Sequence, residues 1–176
     1  SNDGGAVYYR ADSYSSTYTF SLSGSSFVEN LAAVDGGAVY IEDGYSTVLE
    51  TSSFLGNEAD NSSSQGGAVY LYSVGSGGAD ISNNYACGNE AAYGGGLHVE
   101  SVSSVDFTNN VVTGNVANSD GGGFYGYSLS NLDTINNTFA GNAATSSGGG
   151  LYLASSSVEF THNIVAFTRG GHGFYA

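Results

Sequence analysis

Gly36-Gly37-Ala38-Val39-Tyr40 decides the fold of this chain, because close variants of these five residues return along its whole length. Each copy has two glycines, a small residue, an apolar residue and then tyrosine, which one copy replaces with histidine. The copies begin at residues 4, 36, 66, 94, 121 and 148, and a degenerate copy begins at 171. A phrase that recurs every 23 to 32 residues is typical of a solenoid, in which each coil buries its apolar side only against neighbouring coils.

Asparagines hold two further fixed places between the glycine copies. Asparagine tolerates the left-handed conformation that a sharp corner needs, and its amide can pair with an identical amide one coil away. We therefore predict two structural asparagine ladders, one at each of these two places. The first ladder comprises Asn30, Asn57, Asn89, Asn115 and Asn142, and the second comprises Asn84, Asn110, Asn137 and Asn163.

The segments between these corners are strands rather than helices. They run for three to five residues with alternating apolar positions, and glycine interrupts every window in which a helical period could develop. The sequence therefore predicts an all-β parallel β-helix, or β-solenoid, of about six coils with three short strands each. We expect a single domain over residues 1–176, with coils starting near 4, 36, 66, 94, 121 and 148 and a final strand at 171–176.

Strand alternation places the apolar residue of each glycine copy inside and the aromatic residue after it outside. The outward residues form a predicted tyrosine ladder of Tyr8, Tyr40, Tyr70, His98, Tyr125, Tyr152 and Tyr175. An exposed row of stacked tyrosines would be an interaction face for a glycan or a protein. The competing interpretation is that tyrosine is simply a good strand former that shields the backbone.

Acidic residues form a second predicted outward column, made of Asp80, Asp106, Asp133 and Glu159. Like charges directly opposite each other are destabilising, so something must offset them. Bound Ca²⁺ is one answer, because hard cations take carboxylate oxygens. Splayed side chains and solvent screening are the other, and we prefer this answer because the chain lacks a dense calcium-binding repeat. We expect no established metal site and no cofactor.

Charge and composition restrict the partners. Sixteen acidic residues against two basic ones give a net charge of −14, which opposes binding to nucleic acid or anionic lipid. No apolar run is long enough to insert into a membrane.

Cys87 is the only cysteine, so it has no partner within the chain and its role stays open. Asn61-Ser62-Ser63 matches the glycosylation sequon.

The sequence gives little support to an enzyme. A polysaccharide lyase needs a cation or arginine beside a base, and the two arginines stand in the first and last coils. The three histidines fall at different places in the coil. Stacked carboxylates could mimic the pair of a glycoside hydrolase, but any regular column produces that spacing. We predict that the chain is not an enzyme.

The paired phrases, GGA followed by Val, Ile or Leu and Phe-x-x-Asn, resemble the polymorphic membrane protein repeats of bacterial surface autotransporters. They are clearest at Gly36–Ala38, Gly66–Ala68, Phe27–Asn30, Phe54–Asn57 and Phe139–Asn142. More broadly, the chain resembles secreted right-handed parallel β-helix proteins. The resemblance implies a right-handed coil, an extracellular or cell-surface location, and a role as adhesin or stalk; it carries over no catalytic residues.

The first and last coils have the same phase, so copies could stack end to end through their unpaired strand edges. We therefore expect an extracellular structural protein, a subunit of a fibre or surface filament. An adhesin or stalk passenger of a larger, membrane-anchored precursor is the alternative. A protein that binds or cleaves polysaccharides is a more distant one.

Overall fold

The computed structural model describes residues 2–11 and 18–176, and these residues wind into a parallel β-solenoid. Every strand pairs in parallel with the equivalent strand one coil before or after it, and the strands collect into four sheets. The predicted all-β fold of about six coils is therefore confirmed.

The first and second sheets form two sides of each coil. Strands of the first sheet are Val7–Arg10, Val39–Glu42, Val69–Tyr72, Leu97–Glu100, Phe124–Tyr127, Leu151–Ala154 and Phe174–Tyr175. Strands of the second sheet are Thr19–Ser23, Ser46–Glu50, Gly78–Ser82, Val105–Thr108, Leu132–Ile135 and Val158–Thr161.

The third and fourth sheets close the coil. Strands of the third sheet are Ser26–Val28, Ser53–Leu55, Tyr85–Cys87, Val111–Thr113, Thr138–Ala140 and Ile164–Ala166. Strands of the fourth sheet are Leu31–Ala32, Glu58–Ala59, Glu90–Tyr93, Val116–Asp120 and Ala143–Ala144.

The fourth sheet was not predicted, because the sequence pattern indicated three strands per coil. Three of its five strands are only two residues long, and two residues cannot show an alternation. The second residue of each strand, such as Ala32 or Ala117, is buried. A small buried side chain at this place lets the chain turn back toward the next glycine pair.

The core lies inside the coil and consists of inward side chains stacked in register. In the second coil Val39 and Ile41 of the first sheet meet Leu49 of the second and Phe54 of the third, and all four are essentially inaccessible to solvent. Phe107 stacks on Phe139 with ring centroids 5.9 Å apart. Because the inward positions repeat in every coil, the predicted inward residues of the first sheet are confirmed for the interior coils.

The glycine pair makes the corner that leads into the first sheet. Gly36 has a φ of +61°, which favours a residue without a Cβ. A Cβ on Gly37 would collide with the backbone oxygen of Gly67 one coil away. The first glycine is thus required by conformation and the second by close approach of the backbone.

Both asparagine ladders are present, and all their members are buried except the end residues Asn30 and Asn163, which are partly exposed. In the first ladder Asn89 Nδ2 donates to Asn115 Oδ1 at 2.8 Å, and Asn115 Nδ2 donates to Asn142 Oδ1 at 3.0 Å. The second ladder repeats this pattern, for example from Asn84 Nδ2 to Asn110 Oδ1 at 3.1 Å. The amides also bond backbone groups of neighbouring coils.

The left-handed residue at these corners is not the ladder asparagine, as the sequence suggested, but the residue before it. Asn83, which precedes Asn84, has a φ of +57°, and Gly114, which precedes Asn115, has a φ of +63°. This conformation turns the following asparagine inward, where its amide reaches both adjacent coils. The ladder asparagine therefore contributes hydrogen bonds, and its predecessor contributes the turn.

Candidate functional site

The aromatic residues that follow the glycine copies form one continuous column on the outer face of the first sheet. Parallel pairing puts Tyr8 opposite Tyr40 and each later member opposite the next. Consecutive ring centroids along the column lie 5.3, 5.1, 4.9, 4.5, 4.9 and 4.9 Å apart. These separations fit favourable aromatic contacts.

The column is not exposed along its whole length, so the prediction of an exposed stripe is wrong at its centre. Tyr8 and Tyr175 are 47% and 42% exposed, whereas Tyr40, Tyr70 and His98 are 8%, 4% and 3% exposed. The side chains do point away from the core, as alternation requires, but other side chains cover the central members. Burial raises the pKa of Tyr125 to about 12 and raises the pKa values of Tyr40 and Tyr70 further.

Two flanking rows produce this burial. One row stands two residues later on each strand and contains Arg10, Glu42, Tyr72, Glu100, Tyr127 and Ala154. The other row precedes the glycine pairs and includes Asp35, Gln65, Tyr93 and Asp120. Because neither row repeats one residue type, the surroundings of the column change from coil to coil.

Asp35 and Asp120 belong to the second flanking row and act as corner residues. Asp35 Oδ1 accepts the backbone N–H of Gln65 at 2.8 Å, and Asp120 Oδ1 accepts that of Ser147 at 2.9 Å. Burial raises the pKa of Asp35 to about 6, although the Gln65 hydrogen bond opposes the shift. At neutral pH the Asp35 carboxylate is therefore ionised, although its burial disfavours the charged form.

His98 is the most unusual member of the column. Neither imidazole nitrogen has a hydrogen bond of acceptable geometry, and the nearest carboxylate oxygen, Glu100 Oε2, lies 3.5 Å from Nε2. Burial lowers the pKa of His98 below its ordinary value of 6.5, although Glu100 and the backbone of Tyr93 oppose the shift. The imidazole is therefore neutral at pH 7.

Glu100 is half-buried beside His98. Its Oε2 accepts the hydroxyl of Tyr70 at 3.1 Å. The contact with His98 lowers the pKa of Glu100, and the Tyr70 hydroxyl adds to this effect against the cost of burial. Glu100 is consequently an ionised carboxylate beside a neutral histidine.

A cleft of about 250 Å³ opens next to these two residues, and we call it the His98 cleft. Its walls are Gln65, Tyr93, His98, Glu100, Tyr125 and Tyr127. The rings of Tyr93 and Tyr125 meet edge to face with centroids 5.6 Å apart. Sequence reasoning found the column but missed the cleft, because Tyr93 and Tyr127 belong to rows that do not repeat; their aromatic character at the flanking positions was the available signal.

The acidic column lies on the second sheet, away from the His98 cleft. Pairing puts Asp80, Asp106, Asp133 and Glu159 at one register position, as predicted. Burial raises the pKa of Asp106, and the neighbouring Asp133 and Asp80 raise it further. No group of three or more histidine, cysteine or acidic side chains within residues 2–11 and 18–176 is arranged to hold a metal ion.

The other predicted site residues lie at the surface. Asn61 is exposed, and its Oδ1 accepts the backbone N–H and the hydroxyl of Ser63 at 3.0 and 3.1 Å. Glycosylation at Asn61 stays a prediction. Cys87 is a half-buried free thiol at the end of its strand. Over the part of the chain that the structure describes, no helix is long and apolar enough to cross a bilayer.

Comparison with known proteins agrees with this architecture. The family model described as a right handed beta helix region matches residues 5–176. The chain belongs to this right-handed β-helix family, and the predicted handedness is therefore confirmed. Neither curated proteins nor solved structures give a match.

Proposed function

We propose that this chain is a structural β-solenoid of the extracellular space or cell surface, and that it serves as a subunit of a fibre or surface filament. One observation carries the proposal: buried asparagine amides bond coil to coil, as from Asn57 to Asn89 at 2.9 Å and from Asn137 to Asn163 at 3.0 Å. With the stacked column, this bonding makes each coil a rigid support for the next. Such regularity suits a rod.

The edge coils supply the contact surface for a filament. Val28 and Leu31 in the first coil are 53% and 59% exposed, and Ile164 and Phe167 in the last coil are 58% and 88% exposed. Unpaired strand edges with apolar side chains are templates for further strands. In the filament, the last coil of one copy pairs with the first coil of the next, a head-to-tail contact that does not close into a ring.

The alternative is an adhesin or stalk segment of a larger surface protein, in which neighbouring coils of one chain cover the same edges. The resemblance to the polymorphic membrane protein repeats supports this alternative. We further propose a non-catalytic role without a cofactor. A polysaccharide-binding or polysaccharide-cleaving role is more distant, and Ca²⁺ on the acidic column stays a separate proposal.

Substitution of an edge residue tests the filament. Leu31 and Val116 occupy the same outward position of the fourth sheet, but Leu31 lies on its edge strand and Val116 lies inside the sheet. Leu31→Lys should abolish end-to-end assemblies in negative-stain images and sedimentation, because edge lysines block strand addition. The matched control Val116→Lys should assemble like the unmodified chain. Monodisperse unmodified particles across salt and calcium concentrations would eliminate the filament.

A further inference from the structure

The His98 cleft has more hydrogen-bond acceptors than its own donors satisfy. Gln65 Oε1 is a buried acceptor without a partner, and the two nitrogens of His98 also lack one. A neutral imidazole has one acceptor nitrogen. The Tyr70 hydroxyl and His98 Nε2 both contact Oε2 of Glu100. Oε1 of Glu100 is therefore left for another donor. Gln65 Oε1 and the His98 nitrogens have almost no solvent-accessible surface, so the Glu100 carboxylate, whose side chain is 22% exposed, is the acceptor that the cleft presents to a ligand.

The charge of the cleft is negative and is not neutralised within the chain. In the part of the chain that the structure describes, His98 supplies the only basic nitrogen at ion-pair distance from Glu100, and this histidine is neutral at pH 7. The walls also include the rings of Tyr93, Tyr125 and Tyr127, and the faces of aromatic rings carry partial negative charge. Acceptors, a carboxylate and aromatic faces together favour an organic cation.

An equivalent position two coils earlier shows what a carboxylate in this row binds. Glu42 Oε2 accepts the hydroxyl of Tyr8 at 3.3 Å, as Glu100 accepts that of Tyr70. There the cation is internal, because Arg10 Nε lies 3.5 Å from Glu42 Oε2. The neighbours of Glu100 in its row are Tyr72 and Tyr127. Glu100 thus accepts an equivalent tyrosine hydrogen bond, but the residue before it in the row is a tyrosine and not an arginine.

We propose that the His98 cleft binds the side-chain ammonium of a lysine on a partner protein. The ammonium has three donors, and it pairs with Glu100 while the tyrosine rings contact it and its alkyl chain. The chain itself contains no lysine and has a net charge of −14, so a second copy cannot supply the ligand and a basic partner is complementary. The proposal does not depend on filament formation.

Titration with a small lysine derivative tests the cleft directly. Nitrogen-15 spectra of the folded chain are recorded with N-acetyl-lysine methylamide at constant ionic strength, with N-acetyl-norleucine methylamide as the uncharged control. The lysine derivative should give saturable shifts at His98, Glu100 and Tyr127 with a Kd of about 1 to 10 mM, as one exposed cation–π site allows. Norleucine should give no saturable shift.

Three variants sharpen the test. Glu100→Gln, which can still accept the Tyr70 hydrogen bond, should weaken lysine binding by about tenfold, because it removes the charge. Tyr127→Ala changes a residue that is 42% exposed and should weaken binding by about fivefold. The matched control Glu42→Gln should leave the Kd unchanged, since Glu42 is already paired with Arg10.

Several outcomes would overturn the proposal. These are equal binding of norleucine, an unchanged Kd in Glu100→Gln, or shifts confined to the acidic column at Asp106 and Asp133. Free cadaverine that binds tenfold more tightly than a lysine-containing peptide would assign the cleft to small amines instead of a protein. Saturable binding of an oligosaccharide in the cleft, without binding of lysine, would assign it to a glycan.

Discussion

The asparagine ladders and the aromatic column both repeat once per coil, but only the asparagines have the same surroundings in every interior coil. Asn57, Asn89, Asn115 and Asn142 are all fully buried, and the first three each donate their amide to the next asparagine of the ladder and to a backbone oxygen of the preceding coil. Members of the aromatic column range from 47% exposed at Tyr8 to 3% at His98. A ladder stays uniform when its partners belong to the same repeat.

The column varies because its partners belong to rows that do not repeat. Arg10, Glu42, Tyr72, Glu100 and Tyr127 occupy one flanking row, so the column is bordered by a guanidinium, a carboxylate or a phenol ring, depending on the coil. A solenoid can therefore keep one backbone geometry while a single coil acquires a distinct chemical environment. The His98 cleft is such a place.

The largest effect should come from breaking an asparagine ladder. Asn115 Oδ1 accepts the backbone N–H and the amide of Asn89, and its own amide donates to the oxygen of Ala86. Asn115→Ala leaves these buried groups without partners, so the free energy of unfolding should fall by about 4 kcal/mol. Chemical denaturation measures this change.

An exposed asparagine in the same coil is the control for this variant. Asn118 lies at the surface and donates to Glu90 Oε1 at 3.0 Å. Asn118→Ala should change the free energy of unfolding by less than about 0.5 kcal/mol. Comparable losses in the two variants would show that the ladder bonds add nothing beyond ordinary surface contacts.

The second effect concerns His98 and should depend on pH. Because burial lowers the pKa of His98 below 6.5, the unfolded chain binds this proton more readily than the folded chain. Stability should therefore fall as pH drops below about 6.5. His98→Phe keeps the ring stack and removes both unpartnered nitrogens, so it should raise the free energy of unfolding by about 1 to 2 kcal/mol at pH 5.

Thermal melts from pH 5 to pH 8 measure the difference between His98→Phe and the unmodified chain. The gain should shrink as pH rises above 6.5, because the imidazole is then neutral in both states. Tyr152→Phe changes another ring of the column, whose pKa burial raises above its ordinary value of 10, so it is the control and should show no pH dependence in this range. A gain for His98→Phe that is constant with pH would rule out protonation as its cause.

The sequence was sufficient for the features that repeat. The glycine copies predicted the first sheet and its register, and Asn84 and Asn110 revealed a ladder because the same residue returns in phase. The fourth sheet was not predicted because strands such as Leu31–Ala32 are too short to show a period. The burial of His98 was not predicted for another reason. It depends on Gln65 and Tyr93, and the residue type at their position in the coil changes from one coil to the next.

The smallest effect should come from Asp35, whose pH dependence has the opposite sign to that of His98. Burial raises the pKa of Asp35 from 3.8 to about 6, so the folded chain holds this proton more tightly and the carboxyl group destabilises the fold as pH rises through that range. Asp35→Asn keeps an oxygen acceptor for the Gln65 N–H and removes the charge. It should raise the free energy of unfolding by about 1 kcal/mol at pH 7, after allowance for solvent screening, and by nothing at pH 3.

Asp35→Ala is the control, because it removes the charge and the acceptor together and should lose this gain. Equal stabilisation by Asp35→Asn at pH 3 and pH 7 would show that the amide, and not the removed charge, is responsible. With His98 weakening the fold in acid and Asp35 weakening it toward neutrality, the aromatic column responds to pH through its flanking rows, whereas the asparagine ladders contain no group that titrates.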